Sequence, residues 1–337
     1  MNSLERSTAF IEGKYVDRVP FHPILMRFAA RHAGVRYRDF CLNPAHKCMA
    51  NIRCADDFRS DWVNTMSDPW AEAEAFGTVI QYPVDDLPKV ERYAVGDIPD
   101  TDRMRVLNPD DHRRMRQRVE EISLYSRESP GRYFICGWVE GPLAAWCDIR
   151  DINLAMTDLY EYPEKVHNAL EIITESAIAF ITQQVRAGAQ CIGIGDSVCS
   201  LISPELYSEF CFEREKRLVD HIHSLGAYAK IHICGNISAI LPEIIRTGAD
   251  IIDIDHRTGP VTDVLRILGG QQVFSGKSDP VSVLQDGDTE LIRSSSLAFF
   301  LEAGGRAILS AGCEVTPGTP PENLKTFSDM AQELGMV

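Results

Sequence analysis

The feature that most restricts this chain is a regular alternation along its 337 residues, in which short apolar, β-branched runs are separated by amphipathic stretches of helical period. The runs predict strands at residues 20–25, 61–66, 133–138, 190–194, 228–233, 250–254, 272–274 and 307–310. Helical patterns occupy residues 163–187, 203–225, 237–247, 258–268 and 288–303, and Gly188, Gly226, Gly248 and Gly304 stand where four of them stop. Eight strands alternating with helices most simply close into an α/β fold of the (β/α)8 TIM barrel type. The whole of 1–337 then reads as a single domain with extra N-terminal helices before the third strand. The Pro-rich, acidic stretch around 79–100 reads as a surface excursion from it. A doubly wound open sheet is the second option, but no Gly-x-Gly-x-x-Gly follows any strand.

In such a barrel the chemistry collects at the C-terminal ends of the strands. The polar residues there are Asp68, Glu140, Asp196 with Ser197, His232 with Cys234, Asp255 with His256, Lys277 with Asp279, and Cys313. His232 and Cys234 stand two apart at the end of a strand, so their side chains leave on one side. With Cys313 on the same rim they offer an imidazole and two thiolates, the three protein ligands of a catalytic zinc site that keeps its fourth position open. A plainer reading competes: free cysteine is among the most buried residue types, and a strand-end histidine is often simply hydrogen-bonded. Asp68, Glu140 and Asp279 each precede or begin a helix and are as well explained as caps. Asp196, in Gly195-Asp196-Ser197, sits where a buried acid needs a reason and reads as functional.

Composition narrows the partners. A net charge of −15 argues against nucleic acid and against an anionic membrane surface, both of which recruit clustered Lys and Arg. No apolar run approaches the ~18 residues of a membrane span. Ten cysteines scattered through apolar segments, with no signal-peptide pattern at the start, predict reduced thiols in a cytoplasmic protein.

Several segments in one frame resemble the uroporphyrinogen decarboxylase superfamily. They are Asp17-Arg18-Val19-Pro20, Val139-Glu140-Gly141-Pro142, Gly195-Asp196-Ser197, Leu201-Ile202-Ser203-Pro204-Glu205-Leu206-Tyr207, His232-Ile233-Cys234-Gly235-Asn236, and Gly312-Cys313 followed by Thr319-Pro320-Pro321-Glu322-Asn323-Leu324. Within it the chain is most similar to the zinc-dependent, corrinoid-linked methyltransferases of the methylcobamide:coenzyme M type. Their His-x-Cys-Gly and late Gly-Cys-Gly are matched by His232, Cys234 and Cys313, with Glu314 in place of the last Gly. The resemblance implies a Zn2+ ion on those three residues and an acidic fourth ligand after the sixth strand, for which Asp255 is the choice and His256 the alternative. It implies catalytic roles for Asp196, Glu140 and Asp68, the last matching an aspartate that decarboxylases use.

Decarboxylases themselves carry an N-terminal Arg-Gln-Ala-Gly-Arg-Tyr that this chain replaces by Met26-Arg27-Phe28-Ala29-Ala30-Arg31. The implied activity is therefore methyl transfer between a corrinoid and a small methylated substrate or thiol acceptor. Decarboxylation and a non-catalytic, corrinoid-handling or scaffold role are the alternatives. The cobalamin is expected on a partner corrinoid protein, since the Asp-x-His-x-x-Gly of corrinoid-binding domains is approached only by His256-Arg257-Thr258-Gly259, with Ile254 where the Asp should stand. A homodimer is compatible with this reading. The methyl donor and acceptor stay open: thiol, methanol, amine or methoxylated aromatic.

Overall fold

The expected strand runs are mostly apolar and small residues, and the computed structural model, which describes residues 1–268 and 272–334, arranges seven of them as one parallel sheet. In chain order the strands are β1 (Trp62–Asn64), β2 (Val79–Gln81), β3 (Lys89–Arg92), β4 (Phe134–Glu140), β5 (Cys191–Gly195), β6 (Tyr228–Ile233), β7 (Ile251–Ile254), β8 (Val273–Ser278) and β9 (Ala307–Ala311). Seven of them pair in parallel, in the order β1-β4-β5-β6-β7-β8-β9, while β2 and β3 form a separate antiparallel hairpin.

The expected first strand at residues 20–25 does not form. Phe21 makes a single parallel bridge to Leu309. His22 N–H donates to Leu309 O, Leu309 N–H donates to Pro20 O, and on the other side Asp61 N–H donates to Phe21 O. Pro20 and Pro23 have no N–H to give, so the ladder cannot run past this bridge. The fold is thus a seven-stranded parallel sheet whose outer strands both lie beside residues 20–22. Asp61 secures that seam: it is fully buried and accepts from Arg6 Nη1 (2.6 Å), Arg18 Nη1 (2.7 Å) and Phe21 N–H (2.8 Å).

Alternation along each strand sorts side chains between two regions. Ile192, Ile194, Ile231, Ile233, Ile252 and Ile254 face the helices and build the largest core. Trp62, Phe134, Cys136, Cys191, Ile251, Val273 and Ile308 point inside, where Phe10 and Ile11 of the N-terminal helix Ser3–Ile11 join them.

The helices follow the expected periods with three departures, one of them the stretch 258–268, whose helix starts only at Thr262, past Gly259 and Pro260. The stretch 203–225 is broken into Pro204–Tyr207, a wider turn over Ser208–Phe212, and Glu213–Ser224. The helix after β6 starts only at Leu241–Arg246, because Pro242 fits only the first turn. The four glycines that close helical stretches all adopt positive φ, as the reversal requires. The stretch 79–100 is the β2–β3 hairpin and its exit, and its turn reaches inward, since Leu87 and Pro88 border the cavity described next. Among the described residues no helix is long and apolar enough to cross a membrane.

Candidate metal centre

Parallel pairing aligns β4, β5 and β6 so that Glu140 is opposite Gly195 and Gly195 opposite His232. Inward positions along β6 are Lys230 and His232, and both are buried. Cys234 follows at the strand end, and Cys313 comes just after β9. His232 Nε2 lies 3.0 Å from Cys234 Sγ, and Cys234 Sγ lies 3.4 Å from Cys313 Sγ. The ligand atoms of these three residues all fall within 4.8 Å of one another. An imidazole and two thiols at that spacing are a donor set suited to zinc.

The other ring nitrogen is fixed from behind. Asp253 Oδ2 lies 3.1 Å from His232 Nδ1 and 2.6 Å from Lys230 Nζ, with both acid and lysine fully buried. A carboxylate on Nδ1 selects the tautomer that presents Nε2 to a metal. Burial disfavours a charged His232, but Asp253 and Cys313 outweigh it and carry the imidazole up to about 9. The hydrogen bond from Cys234, then that from His232, brings the Cys313 thiol down to about 4 against burial. The hydrogen bond to Cys313 and burial hold the Cys234 thiol well above the usual thiol range. Without metal the three groups thus share protons among themselves, and a divalent cation would take the place of those protons.

The remaining residues singled out in the sequence fall in different places. Asp255 stands outside the three-residue group: its Oδ2 accepts from Gly235 N–H (2.9 Å), its Oδ1 from Arg257 N–H (3.0 Å), and His256 Nδ1 lies 2.8 Å from Oδ1. Asp68 is buried and held by Arg114 Nη2 at 2.7 Å, with Arg118 behind it. Burial opposes its charge, but the two guanidiniums win and keep its carboxyl well below the usual range. Glu140 accepts from Trp138 Nε1 at 2.9 Å. Burial, together with Asp148 and Glu72, pushes its carboxyl well above the usual range.

Asp196 is fully buried, and its two oxygens accept from Leu143 and Ala144 N–H at 3.2 and 2.8 Å. It thereby caps the helix Pro142–Arg150 that follows the neighbouring strand β4. It also forms a second convergence of ligand-type atoms with Cys199 and Cys211, entirely buried and tied to Glu215 and Tyr207. Asp279, by contrast, caps its own following turn through Val281 and Ser282 N–H.

A cavity of about 280 Å³ opens over the three-residue group. Its walls are mostly apolar, with Met26, Met66, Trp70 and Trp138 prominent, and its polar edge is Asp68, Glu140, Ser197 and Glu314. Among the described residues no Lys or Arg lines it. A second cavity of about 540 Å³, lined by Asp255, His256, Arg257 and Asp279 among others, shares Ser197, Cys234 and Cys313 with the first. Lys230 and Asp253 escaped the sequence reading, although each is a charge at an inward position of an otherwise apolar strand, which is itself a signal that a buried partner exists.

A parallel sheet with an imidazole–dithiol group at its C-terminal rim defines a metal-competent α/β enzyme scaffold. The uroporphyrinogen decarboxylase (URO-D) family model matches residues 2–334, and the chain belongs to that family. It is 30% identical over 201 residues to the methylcobamide:CoM methyltransferase MtaA of Methanosarcina barkeri, a match spanning 57% of this chain and 56% of that protein. The chain thus matches little more than half the length of that curated relative. It is also 26% identical to the uroporphyrinogen decarboxylase of Prochlorococcus marinus (strain MIT 9303), over 96% of this chain and 94% of the relative. A methyltransferase from Methanosarcina mazei has the same fold, with a TM-score of 0.89 over 99% of both chains at 22% identity.

Proposed function

We propose that this chain is a zinc-dependent methyltransferase that moves a methyl group between a corrinoid carried by a partner protein and a small molecule seated in the 280 Å³ cavity. The observation that carries this reading is the convergence of His232 Nε2, Cys234 Sγ and Cys313 Sγ at the edge of that cavity. Zinc held there would make a coordinated thiol or ether oxygen a better nucleophile or leaving group near neutral pH. The chain's own residues do the rest. Asp253 and Lys230 orient the imidazole, the Trp and Met walls exclude water from the reacting atoms, and Glu140 holds a proton at the cavity edge. Asp255 and His256 line the adjoining cavity, and with both Asp255 oxygens engaged by backbone N–H groups the fourth position would be left to substrate or water.

The lining of the cavity supports methyl transfer over decarboxylation. A porphyrinogen carries many carboxylates, and a cavity edged by three acids with no facing Lys or Arg offers them no partner. The test is spectroscopic. Zinc-loaded protein mixed with a reduced cob(I)alamin and a panel of methyl donors should convert the cobalt(I) spectrum to that of methylcobalamin with at least one donor. No conversion with any thiol, alcohol, amine or ether, in either direction, would overturn the reading.

A further inference from the structure

The size, wall chemistry and charge of the cavity narrow the substrate class, an inference that rests on the methyl-transfer reading above. We propose that the small molecule is an uncharged methoxylated aromatic, its ring lying on the indole of Trp138 and its oxygen within reach of both the His232–Cys234–Cys313 group and Glu140.

Size comes first. An engineered protein cavity of about 150 Å³ takes benzene, so 280 Å³ accommodates a benzene ring with one or two oxygen-bearing substituents. A methylated thiol or methanol would leave most of it empty.

The wall is shaped for a ring. Glycines occupy the two upper inward positions of β5, and the indole of Trp138 lies across them: a Cβ on Gly193 would meet Trp138 Cε3 at 2.4 Å, and one on Gly195 would meet Cζ2 at 2.6 Å. The same Gly195 separates Glu140 from His232 across two strand spacings, about 10 Å. The space between acid and imidazole is thus floored by an indole for which the glycines make room, and an aromatic ring stacks favourably on it.

Charge points the same way. Asp68 is neutralised by Arg114, and Glu314 by Arg27 at 3.1 Å. Among the described residues Glu140 forms no ion pair, and it sits by Glu72, whose Oε1 accepts Glu140 N–H at 3.1 Å; burial and the neighbouring acids outweigh the pull of Arg118 and favour its protonated form. An anion would find no Lys or Arg in the described lining, and an ammonium ion would find no free carboxylate. A protonated acid is also what an ether requires. The O–CH3 bond breaks with its electron pair left on oxygen, the new C–Co bond takes both electrons from the partner's cobalt(I) corrinoid, and the phenolate oxygen receives the proton of Glu140. Solvent returns that proton.

The experiment measures binding of three probes to zinc-loaded and metal-free protein by calorimetry: 2-methoxyphenol, 2-mercaptoethanesulfonate and tetramethylammonium. The expected result is that 2-methoxyphenol binds tightest and that Trp138→Leu weakens it at least about tenfold. Gly195→Ala, which pushes on the same indole, should weaken it as well and provides the readout if the Trp138 variant fails to fold. Glu140→Gln should keep the binding and lower the rate of demethylation. Tighter binding of the sulfonate or of the ammonium ion, or no binding of any probe, would overturn the proposal. A protein that binds 2-methoxyphenol but takes up no zinc would sink the methyl-transfer reading separately, so the two failures are distinguishable.

Discussion

Cys234 and Cys313 are 79 positions apart in the chain, and their sulfurs lie 3.4 Å apart. They meet because β6 and β9 belong to one parallel sheet and release their chains at the same rim. Removing either thiol leaves two ligands, too few for tight zinc binding. Elemental analysis of purified protein should find close to one zinc per chain, reduced to background in Cys234→Ala and Cys313→Ala. Asp255→Asn should retain the metal, since that carboxylate is already engaged by two backbone N–H groups. Zinc lost from Asp255→Asn with the fold intact would instead make Asp255 a ligand.

The pair behind His232 has two separable effects. Asp253→Ala leaves Lys230 charged and buried without its partner, a change that costs about 3–5 kcal/mol. Asp253→Asn is gentler and removes the carboxylate that fixes the imidazole, so zinc affinity should fall about 10–100-fold. Competition with a chromogenic chelator measures the second effect and urea unfolding the first. Unchanged zinc affinity in a folded Asp253→Asn protein would show that the acid only balances Lys230.

Much of this was legible in the residues, for a physical reason. Seven of the eight expected strands formed because their inward and outward alternation is local and repeats. The run at residues 20–25 misled because its apolar content resembles a strand while Pro20 and Pro23 deny it a ladder. The meeting of His232 with Cys234 follows from spacing alone; Cys313 needed the whole sheet to place it. The capping role of Asp196 was not visible in the sequence, because a cap supplied to the helix after a neighbouring strand appears only once β4 and β5 are paired.

Acid stability should depend on Asp68. Arg114 and Arg118 depress its folded-state pKa, against burial, below the ordinary value of 3.8. A depressed carboxyl gives stability that is present above the unfolded pKa and lost as pH falls toward the folded one. Asp68→Asn should therefore be less stable at neutral pH by about 3–5 kcal/mol, since two buried guanidiniums lose their charge partner. Its stability should also fall less steeply below about pH 4 than that of wild type. Denaturant titrations across that range decide it: parallel slopes would mean that other carboxylates control acid unfolding.

On the alkaline side the buried acid Glu215 acts with the opposite sign. Tyr207 O–H donates to its Oε2 at 2.5 Å, and it hydrogen-bonds Asp196, whose oxygens are already committed to the helix Pro142–Arg150. Burial first, then the charge of Asp196, raises Glu215 well above its ordinary 4.5, while burial pushes Asp196 up to about 6. A raised carboxyl binds more protons folded than unfolded, so its contribution is full below the unfolded pKa and is lost as pH climbs toward the folded one. Gln at position 215 keeps a donor for Asp196 and an acceptor for Tyr207 but cannot ionise. Above about pH 5 the wild type should lose stability with rising pH more steeply than Glu215→Gln, so that the variant gains on it. Urea unfolding at several pH values gives the difference directly, and a constant offset between the two proteins would mean that Glu215 does not titrate there.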